Sequence, residues 1–466
     1  MSLTDPLARS FFDLWQHLDP VQAGRFDPAA GPPGLAVFDD EIVRQHLAAL
    51  RALGLAAEEL EPETLDDQID LTLLLGAIRE VERTFGQERS HRAGPGFWLV
   101  RLAETLAARA GDGELLDLVP AWAESAVVPS DAFGLETGLT VLEAVGMLLE
   151  DELWARAPAD RLARARAALE GLGQSLRAEA RPSDEVPASG IGEEAADWRL
   201  NYVYSLSAGS AAALRQLAAL ADQLEADLVR GAAAVDPARP WREIVAGLGF
   251  GPLAYTDPDA PMLEAWAAFR DPTEPEAHFR VAPGGALEPG RSRLCLRPGS
   301  PLAVARGVRY GPAGAGGLVA GRVEAASEIR RRYAQPGLLD GWGLFAEDRA
   351  ARATQAPALA LVLQADLLLR TLMAAADLAV HRRQLTLAEV PERLTTRALI
   401  APEAAVAEAR RIALAPLEAA GSVLVWREWV RLAAAWPGGD PALEAAVRAG
   451  GLASPVLVRW RHDVPE

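Results

Sequence analysis

The chain contains no lysine, so all 46 basic residues are arginine, and Asn201 is its only asparagine. With the high alanine content, this composition reads as GC-biased coding or as selection for heat tolerance. The single cysteine, Cys295, excludes an internal disulfide and any cysteine-based metal cluster. One such thiol reads better as a small buried hydrophobe than as a nucleophile. Excess positive charge is also lacking: the formal net charge is −19, which argues against nucleic acid or an anionic membrane as partner, since basic surface holds both. Histidine is sparse. His17, His46, His91, His278 and His462 are dispersed and show no ligand spacing, and no histidine falls between His278 and His381. There is no G-x-S-x-G elbow and no Cys/His pairing, so a nucleophilic hydrolase has no support in the sequence.

A long uncharged apolar run is absent too. The most apolar stretch, Ala358 to Val380, carries Asp366, Arg370 and Asp377. Three charges make it a buried helix of a soluble fold and not a membrane span. Met1 to Pro6 lack the basic and apolar regions of a signal peptide. The expected location is therefore cytoplasmic. Half of the residues are hydrophobic, ample for a large core.

Helix patterns dominate what is present. Leu214, Leu217, Leu220, Leu224 and Leu228 recur at three- and four-residue steps, which predicts one helix from about 193 to 230. Thr64 followed by Asp67, ahead of Ile69, Leu73, Ala77 and Val81, predicts a capped helix start. Thr386 and Glu389 form a capping box before Val390 and Leu394. Further helices are expected at 41–54, 98–111, 133–156, 159–178, 315–335, 341–382 with a break near Pro357, and 402–435. From Pro252 to Pro312 the helical period gives way to dense proline and glycine. Alternating runs such as His278-Phe279-Arg280-Val281 and Arg293-Leu294-Cys295-Leu296-Arg297 predict a small β insertion around 278–306. Pro182 to Gly192 reads as the loop between an N-terminal helical lobe, about 1–181, and a C-terminal lobe, about 193–466. The fold expected is mainly α, a single large domain in two lobes.

Several local patterns support a family resemblance. Asp66-Asp67-Gln68-Ile69-Asp70 resembles a "D-x-I-D" helix, and Gly94 to Trp98 fits the loop that follows it. Asp340 to Glu347, reading DGWGLFAE, resembles "EGWALYAE". Arg370, Asp377 and His381 resemble "R-x6-D-x3-H", and Arg411 and Pro416 fit "R-Y-x3-P-G-Q-A-x2-Y". From Phe11 to Trp429 the chain resembles the bacterial domain-of-unknown-function 885 family, whose fold is similar to the helical gluzincin peptidases. The resemblance implies a cleft with a zinc centre, in which two histidines and a glutamate hold the metal, a second glutamate acts as base and a tyrosine polarises the carbonyl.

This chain departs from each of those requirements. The family's "HE-x2-PGHH" should fall near Gly307 to Gly317, where no histidine occurs. Ungapped spacing puts Val308 at the general base, and a shifted register brings in Glu324 instead. The two tyrosines fall at Ile412 and Ser422, and Asp340 stands for a ligating glutamate. A catalytic zinc is held by about three protein ligands, so zinc is expected to be lost, with no catalytic residue and no cofactor remaining. Asp340, Glu347, Arg370, Asp377, His381 and Arg411 are the residues that the resemblance assigns to a residual cleft. Without the metal, their carboxylates need a counter-charge, which Arg309, Arg322 and Arg370 are placed to supply. Read without the resemblance, His381 and Asp377 form a helix-end polar pair that satisfies nearby backbone. Asp340 and Glu347 then form a solvated or arginine-paired face, and Glu324, Glu328 and Arg332 take part in i,i+4 pairing. The glycines at 314, 316 and 317 lack the lysine and strand of a phosphate loop.

Three functions remain: an inactive peptidase-like protein that binds a peptide or protein, an active hydrolase with a rebuilt site, and a structural or assembly protein. The expected partner is a peptide or protein, not nucleic acid or membrane.

Overall fold

Small and aliphatic residues at helical spacing produce a mainly α fold, and no strand occurs among the described residues. The computed structural model describes residues 2–26, 34–35, 39–93, 95–109, 111–126, 132–150, 154, 157–179, 190–247, 308–309, 314–315, 318, 325, 327–451 and 453–464. The β insertion expected at 278–306, within 252–312, lies outside these residues, as do Cys295, His278, Arg322 and Glu324. The chain divides into two compact units, Met1–Ala188 and Ser189–Glu466.

The first unit comprises helices Asp5–Leu18, Pro20–Phe26, Asp40–Glu58, Leu65–Glu82, Ser90–Ala93, Pro95–Ala108, Gly113–Ser125, Ala132–Glu150 and Ala159–Glu179, numbered α1 to α9. Short acceptors start several of them. Asp39 takes the Glu41 and Ile42 amides, Asp112 takes those of Glu114 and Leu115, and Thr64 takes that of Asp67 at 3.1 Å, which is the cap read from the sequence. Aromatic side chains fill the interior. Phe11, Phe12 and Trp15 of α1 pack on one another, and Trp98 of α6 meets Trp122 of α7 edge to face at 6.1 Å.

The second unit begins with Glu193–Trp198 (α10), a wider turn over Arg199–Val203, and Ser210–Val235 (α11). The sequence predicts one helix here, and the structure breaks it after Val203. Tyr204 turns inward to be 4% exposed, and Ser205 takes a positive φ of 54°. A ring seated in the core at that position cannot lie on the stripe of the leucine helix. The buried face of α11 is Ala213, Leu217, Ala221, Leu224, Leu228 and Ala232, with Leu214 and Leu220 half-buried at its margins.

Trp241–Gly247 (α12), Glu328–Arg332 (α13), Leu338–Ala353 (α14) and Pro357–His381 (α15) follow. Pro357, which lacks an amide hydrogen, suits the first turn of α15 and separates it from α14. Then come Val390–Arg397 (α16), started by the Thr386–Glu389 capping box, Pro402–Leu414 (α17), Glu418–Ala435 (α18), Gly439–Gly450 (α19) and Pro455–Arg461 (α20). The single helix expected over 402–435 is two, because Pro416 and Leu417 (φ 65°) interrupt it.

Helix α15 is the axis of this unit, packed against α11, α14 and α18. Its length and apolar composition would allow it to cross a membrane, yet 67% of its most apolar window is buried against protein, and Asp366 and Asp377 on it are fully covered. It is a core helix. Where α14 crosses α18, Gly341 faces Val425 and the Ser422 carbonyl so closely that a Cβ would lie 2.6 Å from the valine Cγ1.

Candidate functional site

Glu347 projects from α14 into the interior and is 0% exposed. One turn earlier, Gly343 opens the surface of the helix: a Cβ there would come within 2.6 Å of the Arg309 carbonyl oxygen. This lets the backbone at Arg309 press against α14 and sends its guanidinium alongside Glu347. Nε and Nη2 of Arg309 donate to Glu347 Oε2 at 3.1 and 2.6 Å. Nη2 also reaches Oδ2 of Asp366 on α15, and the Nε of Arg370 lies 3.6 Å from the same oxygen. Two guanidiniums and two carboxyl groups therefore tie the chain at 309 to α14 and α15. Beside them, Val308 packs with Ala350, Ala351, Leu363 and Leu359 in an apolar cluster.

Burial is costly for these charges. It pushes the Glu347 carboxyl up to about 8, against the pull of Arg309 and with added repulsion from Asp366. At neutral pH Glu347 is therefore mostly protonated. It still accepts from Arg309 through Oε2, while its Oε1 has no hydrogen-bond partner.

A second cluster sits where the end of α15 meets the start of α18. Asp377 accepts the Leu417 amide on Oδ1 and the Ala420 amide on Oδ2, each at 3.0 Å. It thereby caps α18, whose first residues have no intrahelical partner for their N–H groups. His381, one turn on, lies 3.4 Å from Asp377 and points Nε2 at the Ile412 carbonyl at 3.0 Å. A carbonyl only accepts, so that nitrogen carries the hydrogen. Burial raises the Asp377 carboxyl above its usual range, and His381, the two amides and Arg411 pull it back. Arg411 pairs with Glu408 at 2.7 Å and Glu418 at 3.5 Å. Burial works against its charge, and those carboxylates more than offset it.

The six residues named from the sequence thus fall into two groups with buried carboxyls, edged by the half-buried Arg370 and Arg411, and a flank. Glu347 and Arg370 join the Arg309 cluster, and Asp377, His381 and Arg411 join the α18 cap. Asp340 is half-buried on the first turn of α14, next to the glycine crossing on α18. Asp366 and Asp377 are eleven positions apart on α15, about 16 Å along its axis at the helical rise. Of the arginines placed to supply counter-charge, Arg309 and Arg370 do so here. The sequence reading missed the role of Asp366. Its signal was available, because a carboxylate inside an apolar helical run, four residues before Arg370, must be paired if it is buried.

These donors do not fit zinc. A zinc site needs about three deprotonated ligands converging on open space. Glu347 already faces a guanidinium, Asp377 accepts two backbone amides, and the ring of His381 is turned to a carbonyl. Among the described residues, no three His, Cys, Asp or Glu side chains are grouped to hold a metal.

No family model matches the sequence, and no curated protein matches it significantly. The fold does have solved counterparts. One is a protein of unknown function from Shewanella oneidensis, provisionally described as a lipoprotein, with a TM-score of 0.69 and 14% identity over 98% of both chains. Another, from Colwellia psychrerythraea and provisionally described as a lipoprotein, has a TM-score of 0.70 and 12% identity, again over 98% of both chains. At such identities the likeness is one of fold.

Proposed function

We propose that this chain is a catalytically inactive relative of the helical zinc-peptidase-like proteins and acts by binding a peptide or protein. The observation that carries this reading is the Arg309 guanidinium held between Glu347 and Asp366. The resemblance places the lost metal motif around Gly307 to Gly317, and in that stretch the chain supplies its own cation. Val308, at the ungapped position of the general base, lies in an apolar cluster where it can move no proton. The expected cytoplasmic location belongs to the same proposal. The lipoprotein description of the two structural neighbours weighs against it, and fractionation of the native host decides between cytosol and membrane.

The functional test combines elemental analysis of the purified chain with a peptidase panel run with and without chelator. The expected outcome is substoichiometric zinc, no chelator-sensitive cleavage, and retention of a subset of peptides on an immobilised library. Stoichiometric zinc with chelator-sensitive cleavage would establish instead an active hydrolase with a rebuilt site. An inactive chain that retains no peptide would favour the assembly role.

A further inference from the structure

A groove of about 300 Å³ runs between α11 and α18. Gln216, Leu217, Ala219, Leu220 and Gln223 form one wall; Leu424, Arg427 and Arg431 form the other. The α11 wall spans seven residue steps, about 10 Å at the helical rise, with Leu217, Ala219 and Leu220 set between a glutamine at each end. On α18, Leu424, Arg427 and Arg431 follow at steps of three and four, so they share one face. The groove is therefore aliphatic at the middle of α11, amide-bearing at both ends of that wall, and cationic at two positions of α18. That is the composition of a small-ligand site, mostly apolar with a few placed polar groups.

The cations are unequal. Arg431 already pairs with Glu428 at 2.5 Å. Asp348 and Glu428 both act on Arg427, but Asp348 is itself bonded to Arg352 at 3.0 Å and Glu428 is the partner of Arg431. Among the described residues Arg427 makes no ion pair, and its guanidinium lies 5.8 Å from the centroid of the Trp426 ring. Burial, together with Arg431 and Arg352, works against its charge. Here three guanidiniums face two carboxylates in a chain with a net charge of −19. A half-buried guanidinium short of a counter-ion is a costly arrangement that a ligand carboxylate would relieve with paired, charge-assisted hydrogen bonds.

We propose that this groove binds a medium-chain fatty acid, with the carboxylate on Arg427 and the acyl chain against Ala219 and Leu220, over a floor formed by the buried Leu217 and Leu424. This site is separate from the buried clusters and does not depend on the inactive-peptidase reading. Octanoate titrated into the full chain by calorimetry should bind saturably with one site. Octanamide, which keeps the chain and removes the charge, should bind about tenfold or more weakly, as should octanoate to Arg427→Gln, since a hydrogen bond to a charged group contributes about 1.5–3 kcal/mol. Leu220→Trp, which fills the groove from a half-buried position, should abolish binding with the far-UV circular dichroism unchanged. Octanoate that does not saturate at millimolar concentration would overturn the proposal. So would octanamide binding as tightly, unchanged affinity in both variants, or tighter binding of a leucine-terminated dipeptide, which would make the ligand a peptide C-terminus.

Discussion

Replacing Glu347 with glutamine should flatten one part of the chain's pH–stability profile. The carboxyl is displaced from its ordinary 4.5 to about 8 by burial in the Arg309 cluster. Because the folded state holds this proton more tightly than the unfolded state, the stabilisation is fully present below about 4.5 and is lost as pH rises through about 8. Each pH unit between those values costs about 1.4 kcal/mol. Allowing for partial ionisation near each end, the loss between about pH 5.5 and about pH 8 is about 3 kcal/mol. Glutamine keeps the shape and an acceptor for Arg309 and does not titrate, so E347Q should lack this increment. Contributions from groups outside the cluster, including Asp377, are common to both chains and cancel in the difference, and adding Asp366→Asn to both chains removes the influence of Asp366. Urea unfolding followed by tryptophan fluorescence, with slopes and midpoints compared across this interval, measures it. Parallel profiles would refute the reasoning. A wild type that gains stability relative to E347Q as pH rises would show that Arg309 holds Glu347 ionised.

Arg309→Met should cost about 3–5 kcal/mol near pH 7, because it removes from the buried Asp366 the guanidinium bonded to it and leaves Arg370, at 3.6 Å, as the other cation beside it among the described residues. Adding Asp366→Asn should recover part of that loss in a double-mutant cycle of thermal unfolding. Asp377→Asn keeps only one acceptor oxygen for two α18 amides and should destabilise by about 1–3 kcal/mol, visible in denaturant unfolding. Gly421→Ala would put a methyl group into the Tyr204 ring, and the resulting overpacking should lower stability by about 1–3 kcal/mol or more, with lower soluble yield.

Helices were legible because apolar periodicity and caps are local. Thr64, the Thr386–Glu389 box and Pro357 act within one turn of where they stand, and each marks a boundary in the structure. The breaks at Tyr204 and Leu417 were not legible, because both depend on distant partners. Tyr204 is turned inward by the bare backbone of Gly421, more than two hundred residues away, and Leu417 holds a positive φ where its buried side chain and its amide bond to Asp377 offset the strain. The same division applies to the candidate residues. The i,i+4 spacing of Asp377 and His381 identified a pair, and the reading of that pair as one that serves nearby backbone matches the Ile412, Leu417 and Ala420 contacts. That Glu347 would share its guanidinium with Asp366 required knowing that α14 and α15 lie side by side, which no spacing in the sequence encodes.

The guanidinium of Arg309 also changes what this part of the protein can respond to. A cross-link made through a bound ion has a strength that follows the free concentration of that ion, so starvation or a chelator weakens it. A cross-link made through an arginine of the chain has no such variable: its cation is present in every copy, cannot dissociate, and stays charged at any pH the fold survives. Among the described residues, the junction of α14 and α15 therefore draws its positive charge from the chain itself, and the proton on Glu347 is a variable that the surroundings can set.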